Sequence, residues 1–481
     1  MNELTINLHT ASETPLYEQI YQHIKREIQE GRITSGEKLP SSRSLCKYLE
    51  VSRSTVELAY EQLISEGYVE AVPCKGYFAA ELEGMYRLDV VPALVGAEEK
   101  TEKKEWKYDF TPNGVDLNSF PYNVWRRLAK DSLLDDRAEM FRLGDSQGEY
   151  GLRSAISRYL YQARGVNAHP DQIIIGAGND YLLMLLSTVI GQNHKVALEN
   201  PTYKQAYRLF KSLSYDVCTV DMDEKGMKVA NLKSSGADIA FVMPSHQYPL
   251  GIVMPMKRRM ELLKWAAKDP ARYIIEDDYD SEFRYKGKPI PALQGYDRWE
   301  KVIYIGTFSK SIAPSIRVSY MVLPVPLLKE FQKKSSFLSS TVSRVDQLIL
   351  QKFIEDGHYE RHLNRIRTLY KSRHDTLMGC LKTFQKICTI SGENAGVHIL
   401  LHFVGDMTEE ELIRKAAEKG VRVYGLSQYY IDPPDGLKPT IMLGYANISE
   451  DKMKKWVFWM NTAMFSYYFF AHFLVTVQSG F

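Results

Sequence analysis

Cysteine is scarce and unpaired in this 481-residue chain. The five cysteines, Cys46, Cys74, Cys218, Cys380 and Cys388, are scattered and form no C-x-x-C pair. That argues against a disulfide framework and a structural metal, and fits a reducing, cytoplasmic setting. An excess of either charge is also missing. The formal net charge is +2, so bulk charge points neither to nucleic acid nor away from it. No internal repeat and no low-complexity tract is present. "MNELTINLHTASET" has no apolar core, so no secretory signal is expected. One apolar stretch stands apart, "WVFWMNTAMFSYYFFAHFLVTVQSGF" from Trp456, long enough for a bilayer span of about 20 residues. It is broken by Asn461, Thr462, Ser466, His472 and Thr476 and is rich in aromatics. A final buried helix with a short apolar tail is the expectation, rather than a membrane span.

What is present divides into three parts, because the chain is too long for one ordinary core. Residues 1–80 read as a small, mainly helical unit. Leu16, Ile20, Ile24 and Ile28 make one helical stripe, with Thr14 as a candidate cap and Gly31 as a stop. A short helix follows Ser41 or Ser42. A third helix carries Val56, Ala59, Tyr60, Leu63 and Ile64 on one face. Two short strands then surround a Lys75-Gly76 turn. Residues 81–107, with "GAEEKTEKKEWK", read as a charged, solvated linker. From residue 108 to 481, apolar runs that end in polar or glycine residues alternate with helices. "DQIIIGAGND", "KVALENPTY", "IAFVMPSHQ", "RYIIEDDYD" and "KVIYIGTFSK" share this design. Continuous apolar strands imply a mostly parallel sheet covered on both faces, an α/β class. In such sheets ligands sit at the carboxyl ends of the strands.

Two helices, a tight turn and a hairpin make a winged helix-turn-helix pattern. The third helix begins with Ser52, Arg53, Ser54 and Thr55, short donors and one guanidinium suited to phosphates and base edges. Arg43 lies on the preceding helix and Lys75 at the wing tip. Residues 1–80 hold eight Lys and Arg against eleven acidic residues, so the case for DNA rests on placement and not on net charge. Glu57 is one turn after Arg53 and able to pair with it. The segment "KLPSSRSLCKYLEVSRSTVELAYEQLISEGYV" resembles the GntR-type winged helix. The resemblance implies double-stranded DNA as partner, with contacts from Arg43, Ser52, Arg53, Ser54, Thr55 and Lys75.

Lys310 closes the last apolar run. A charged lysine at a buried strand end is costly. Desolvation and a neighbouring cation would lower its pKa and leave a free amine that condenses with an aldehyde. Pyridoxal 5′-phosphate (PLP) is the aldehyde cofactor held in this way, and it also needs a phosphate cup and a partner for its pyridinium nitrogen. Thr307, Ser309 and Arg317 are candidates for the phosphate, with Gly178 and Asn179 of "GAGND" at a helix start. Asp277 suits the ring nitrogen, Tyr279 the ring hydroxyl, and Tyr203 stacking on the ring. Singly these signals are weak: "EDDYD" alone also suits a metal. Their joint order, each at a strand end, carries the argument.

"GEYGLRSAISRYL", "ENPTY", "PSHQYPLG", "IIEDDYDSEF" and "GTFSKSIAPSIRVSY" resemble the type I aminotransferase fold, with its large and small subdomains. The two parts together resemble the MocR/GabR-type transcription regulators over almost the whole chain. The resemblance implies Lys310 as the aldimine lysine, Asp277 as the pyridine partner and Arg317 as a phosphate ligand. It also implies a head-to-tail dimer and a small amino compound as effector, bound by external aldimine formation rather than turned over efficiently. Tyr248 stands where many aminotransferases have an asparagine. Lys204, Gln205 and Asn447 stand where relatives that sense 4-aminobutyrate have arginines, which implies a different effector. A working aminotransferase with an accessory head is the alternative.

Overall fold

The computed structural model describes residues 6, 8–9, 14–81, 105–133, 138–285, 290–385 and 387–456. Most of the expected linker and all of the tail beyond Trp456 lie outside these residues. The chain divides into two compact units, Met1–Lys103 and Lys104–Phe481.

The first unit holds α1 (Leu16–Gln29), α2 (Ser42–Tyr48), α3 (Arg53–Ser65) and the hairpin β1 (Val69–Val72) and β2 (Gly76–Ala79). The i, i+4 stripe of α1 buries Ile20, Ile24 and Ile28 against Val56, Ala59, Tyr60 and Leu63 of α3. Serines start the other two helices. Ser41 Oγ accepts from the Ser44 N–H and Ser52 Oγ from the Thr55 N–H, which satisfies one orphan amide in each first turn. The N-cap of α1 is Pro15, not Thr14; the Thr14 carbonyl instead accepts from Gln19 Nε2. Gly31 takes a left-handed φ of +73° just past the end of α1. Tyr60 ties the unit together: its ring packs on Tyr77 of the wing and its hydroxyl donates to the Pro40 carbonyl at 2.7 Å.

The second unit is built on strands β3 (Tyr108–Asp109), β4 (Ile173–Gly176), β5 (Lys195–Asn200), β6 (Asp216–Asp223), β7 (Gly226–Met227), β8 (Ile239–Val242), β9 (Tyr273–Asp278), β10 (Val302–Thr307) and β11 (Ser319–Val322). It continues with β12 (Cys388–Ser391), β13 (His398–Phe403), β14 (Val421–Arg422), β15 (Tyr424–Gly425) and β16 (Thr440–Gly444). The large sheet has the order β4-β11-β10-β9-β8-β5-β6-β7. The pairs β10·β9, β9·β8, β8·β5 and β5·β6 are parallel, whereas β11 is antiparallel to both β10 and β4. Successive residues alternate between two apolar clusters. Val196, Ile239, Phe241, Ile275 and Ile303 face one; Ala197, Ala240, Val242, Ile274 and Val302 face the other. Both faces are dry, which is why these strands read as unbroken apolar runs. A smaller antiparallel sheet, β12-β13-β16-β15, forms the second subdomain. Segment 108–114 is tied to it: β3 pairs with β14, and the Gly444 N–H donates to the Phe110 carbonyl.

Among the described residues no helix is long and apolar enough to cross a membrane. Removing the buried Tyr60 hydroxyl leaves the Pro40 carbonyl unpaired, so Tyr60→Phe is expected to cost the head about 1 kcal/mol. Denaturant unfolding followed by a signal from the head reads this; an unchanged midpoint contradicts it.

Candidate functional site

The five expected strands run in one direction, so their carboxyl ends share one edge of the sheet. There a cavity of about 270 Å³ opens. Lys310, Asp277, Tyr279, Tyr203, Gly178, Asn179, Thr307, Ser309 and Arg317 all line it.

Lys310 follows β10 in a turn held from both sides. Phe308 and Ile312 are buried. Ser311 accepts a bond from His362 Nε2 at its carbonyl and shares one with the Tyr359 hydroxyl at 2.9 Å. The Lys310 amine donates to Asn113 Oδ1 at 3.0 Å and to the Asn113 carbonyl at 3.2 Å. Burial lowers its pKa to about 8, against the opposing field of Asp280. At pH 7 such an amine is about one-tenth neutral, against about one in 2,500 for an ordinary lysine. Burial is thus the cause, not the neighbouring cation expected from sequence.

Asp277 continues the row of Ile275 near the end of β9, opposite Ile305 of β10. Its Oδ1 accepts from Asn179 Nδ2 at 3.2 Å. Burial, then the charges of Asp278, Asp280 and Asp180, push its pKa up to about 8. The other acids of "EDDYD" are committed elsewhere. Glu276 accepts from the Leu293 and Gln294 N–H groups. Asp278 takes Arg164 at 3.0 Å and the Tyr304 hydroxyl at 2.6 Å. Asp280 pairs with His246. Asp277 alone of these faces the cavity without a cation.

An anion cup lies at the other end. Beyond β4, Gly178 has φ +99° and α4 (Asn179–Ile190) begins, its first-turn amides directed outward. A Cβ at Gly178 would collide with the Arg317 guanidinium. Arg317 itself sits at φ +51°, a left-handed position costly for a residue with a side chain. Its Nη2 donates to the Ala177 carbonyl at 3.2 Å and lies 3.8 Å from Asp180. Ser309 Oγ and Asn179 Oδ1 are buried without partners among the described residues. Thr307 Oγ1 accepts from the Ser309 N–H and bonds Ser319 Oγ at 2.9 Å. Orphan polar atoms, a cation over a glycine and an unpaired carboxylate fit a phosphate at one end and a protonated ring nitrogen at the other.

Tyr203 caps the start of α5 (Lys204–Ser212) and meets Tyr248 edge-on at 6.3 Å. Burial pushes its pKa up to about 12. Tyr248 bonds the Tyr429 hydroxyl at 3.0 Å. Lys204, Gln205 and Asn447 do not line the cavity. Sequence reasoning missed Asn113, whose only signal is the polar "TPNG" after β3. It also missed His246, which bonds both Asp280 and the Tyr279 hydroxyl.

On the head, Arg43, Ser52, Arg53, Ser54 and Lys75 are exposed and Thr55 is half-buried. Ser52 Oγ bonds Ser54 and Thr55 hydroxyls. Arg53 is paired with Glu57 at 2.7 Å.

The displaced carboxyl has a consequence for stability. An ordinary aspartate titrates near 3.9. Between that value and about 8 the folded chain keeps a proton that the unfolded chain has lost, so stability falls as pH rises through this window. In cofactor-free protein, Asp277→Asn removes that slope. Its urea midpoint is expected to exceed the wild-type value by more at about pH 8 than at about pH 5; an equal gap at both contradicts the assignment.

The profile of "Bacterial regulatory proteins, gntR family" matches residues 16–78. That of "Aminotransferase class I and II" matches residues 112–457. An uncharacterized HTH-type transcriptional regulator, YdeL of Bacillus subtilis (strain 168), is 41% identical, over 94% of this chain and 97% of its own. The probable rhizopine catabolism regulatory protein MocR of Rhizobium meliloti is 30% identical over 92% of each chain. Among solved structures, the kynurenine aminotransferase of Pyrococcus horikoshii matches with a TM-score of 0.65 and 24% identity, over 74% of this chain and 90% of its own. That likeness shows the type I aminotransferase fold. Family membership makes PLP the cofactor. The chain belongs to the MocR/GabR-type transcription regulators, in which a GntR-type winged helix-turn-helix is joined to an aminotransferase-like domain.

Proposed function

We propose that this regulator senses a small amino compound at the PLP cavity and transmits its arrival to DNA bound by the head. The observation that carries the reading is the convergence of Lys310, Asp277 and Arg317 on one cavity, in a chain that also folds a capped recognition helix. Bound there, PLP supplies an aldehyde that condenses with amines and a ring that draws electrons. Lys310 would hold the aldehyde carbon, Asp277 the ring nitrogen and Tyr279 the ring oxygen, with Tyr203 against the ring face. Arg317, Thr307, Ser309, Gly178 and Asn179 would hold the phosphate. Arg43, Ser52, Arg53, Ser54, Thr55 and Lys75 would contact DNA. The domains are assigned as 1–80 for DNA, 81–107 as linker and 108–481 for cofactor and effector. The working form is a head-to-tail dimer in the cytoplasm.

Lys310 links the effector to the rest of the body. An amino compound held there in place of Lys310 would leave the Lys310 amine free. A free amine regains hydrogens to donate to Asn113, whose segment is bonded to the small sheet. A ligand shifts a conformational balance only through such differential contacts. Efficient transamination is the second reading. The low pKa of Lys310 suits it equally; the capped and exposed helix of the head favours the regulator.

Two substitutions separate the functions. Lys310→Ala is expected to abolish the lysine-linked cofactor absorbance and the effector response while DNA binding survives; loss of DNA binding contradicts the division of labour. Arg53→Ala is expected to weaken DNA binding by about tenfold or more and leave the absorbance unchanged. An unaltered footprint would remove the recognition-helix assignment.

A further inference from the structure

Helix α6 (His358–Leu381) has no task in the proposed function, yet it reaches the turn that carries the Lys310 amine. His362 Nε2 lies 2.9 Å from the Ser311 carbonyl. One turn earlier, the Tyr359 hydroxyl lies 2.9 Å from Ser311 Oγ and 3.4 Å from Glu282 Oε1. Ser311, Tyr359 and His362 are all buried. Ser311 follows Lys310 in the chain, so the His362 contact acts one peptide away from the Cα that bears the amine.

The neighbours of His362 admit one arrangement of its hydrogens. A carbonyl only accepts, so Nε2 carries a hydrogen and donates it. Nδ1 faces Arg365 Nη2 at 3.5 Å. A guanidinium only donates, so Nδ1 is bare. One neutral tautomer satisfies both sides. Burial pushes the His362 pKa down to about 4, which keeps the ring in this form at neutral pH. The Ser311 carbonyl has no other partner among the described residues.

The helix gives His362 a firm base. Arg367 Nε donates to the Glu282 carbonyl at 2.7 Å, the Tyr370 hydroxyl accepts from the Asp116 N–H at 3.0 Å, and Arg373 donates to the Ala446 carbonyl. The Tyr359 ring packs edge-on against Phe308, two residues before Lys310, with centroids 5.4 Å apart. The groups that set the electrostatics of the amine lie elsewhere. Lys310 shares the cavity with Asp180, Asp277, Arg317, Tyr203, Tyr248 and Tyr279, and it interacts with Asp280 and His398 behind them. None of these is on α6. Exchanging neutral His362 for another uncharged side chain therefore changes where the amine sits and not the charges around it.

We propose that His362 is a positioning residue for Lys310: through it α6 holds the Ser311 peptide, and this hold keeps the amine in the dry part of the cavity, ready to act as a nucleophile. The hold belongs to the chain itself. Its part in attaching PLP rests on the reading of the cavity as the PLP site.

The test is competitive acetylation of full-length, cofactor-free protein with trace acetic anhydride over a pH series, followed by peptide mass mapping of Lys310. The wild-type labelling midpoint is expected at about 8. In His362→Leu the Ser311 carbonyl loses its donor and the turn opens to water. The midpoint is then expected to rise by about one unit, toward the ordinary lysine value. That rise leaves about one-tenth as much neutral amine at pH 7, so PLP attachment is expected to slow about tenfold there. His362→Gln offers an amide N–H to the same carbonyl and is expected to restore the wild-type midpoint. An unmoved midpoint in His362→Leu, or an equal rise in both variants, overturns the proposal. Nitrogen-15 NMR of histidine-labelled wild-type protein tests it without any variant: a hydrogen on Nε2 of His362 is expected, and a bare Nε2 overturns it. If the labelling midpoint rises as expected while Lys310→Ala keeps the lysine-linked absorbance, the reading of the cavity fails and the positioning of Lys310 stands.

Discussion

A half-buried amine and a buried carboxylate stand at one sheet edge, with no ion pair between them. Lys310 and Asp277 both titrate at about 8, one displaced downward and the other upward by the same loss of water. Burying an unpaired charge is among the costlier things a fold does. A ligand that offers an aldehyde to the amine and a protonated nitrogen to the carboxylate relieves both at once. The rest of the body serves to keep these two groups dry, apart and aimed at one cavity.

The sheet accomplishes that by direction. Parallel strands bring polar tips from segments far apart in the chain to one edge, and the alternation of two apolar faces leaves only those tips to solvent. The carboxylates of "EDDYD" show how finely the edge is divided. Glu276 holds backbone amides, Asp278 an arginine and a tyrosine, and Asp280 a histidine. Asp277 is left to the cavity. Carboxylates at neighbouring positions have four different tasks, each set by what stands opposite.

Much of this was legible beforehand. Apolar runs ending in polar residues told both the parallel sheet and the edge at which the cavity opens. Ser52 before "RSTV" told the start of α3. What was not legible depends on contacts distant in sequence. Asn113 reaches Lys310 from a segment anchored to the other subdomain. His246 belongs to Tyr279 and Asp280 only once β8 and β9 lie side by side. Desolvation and a neighbouring cation were both expected to lower the Lys310 pKa; burial alone does so, and Arg317 stands over Gly178. The cap of α1 was misplaced by one residue: Pro15 holds the position, and the Thr14 carbonyl accepts from Gln19.

The proposed function comes down to one covalent contact. Borohydride reduction of PLP-loaded protein, followed by peptide mass mapping, measures it directly. The account predicts the cofactor's added mass on Lys310 in the absence of effector, and its loss from Lys310 when a saturating amino-compound effector is present before reduction. Added mass on another residue, or on none, would contradict it.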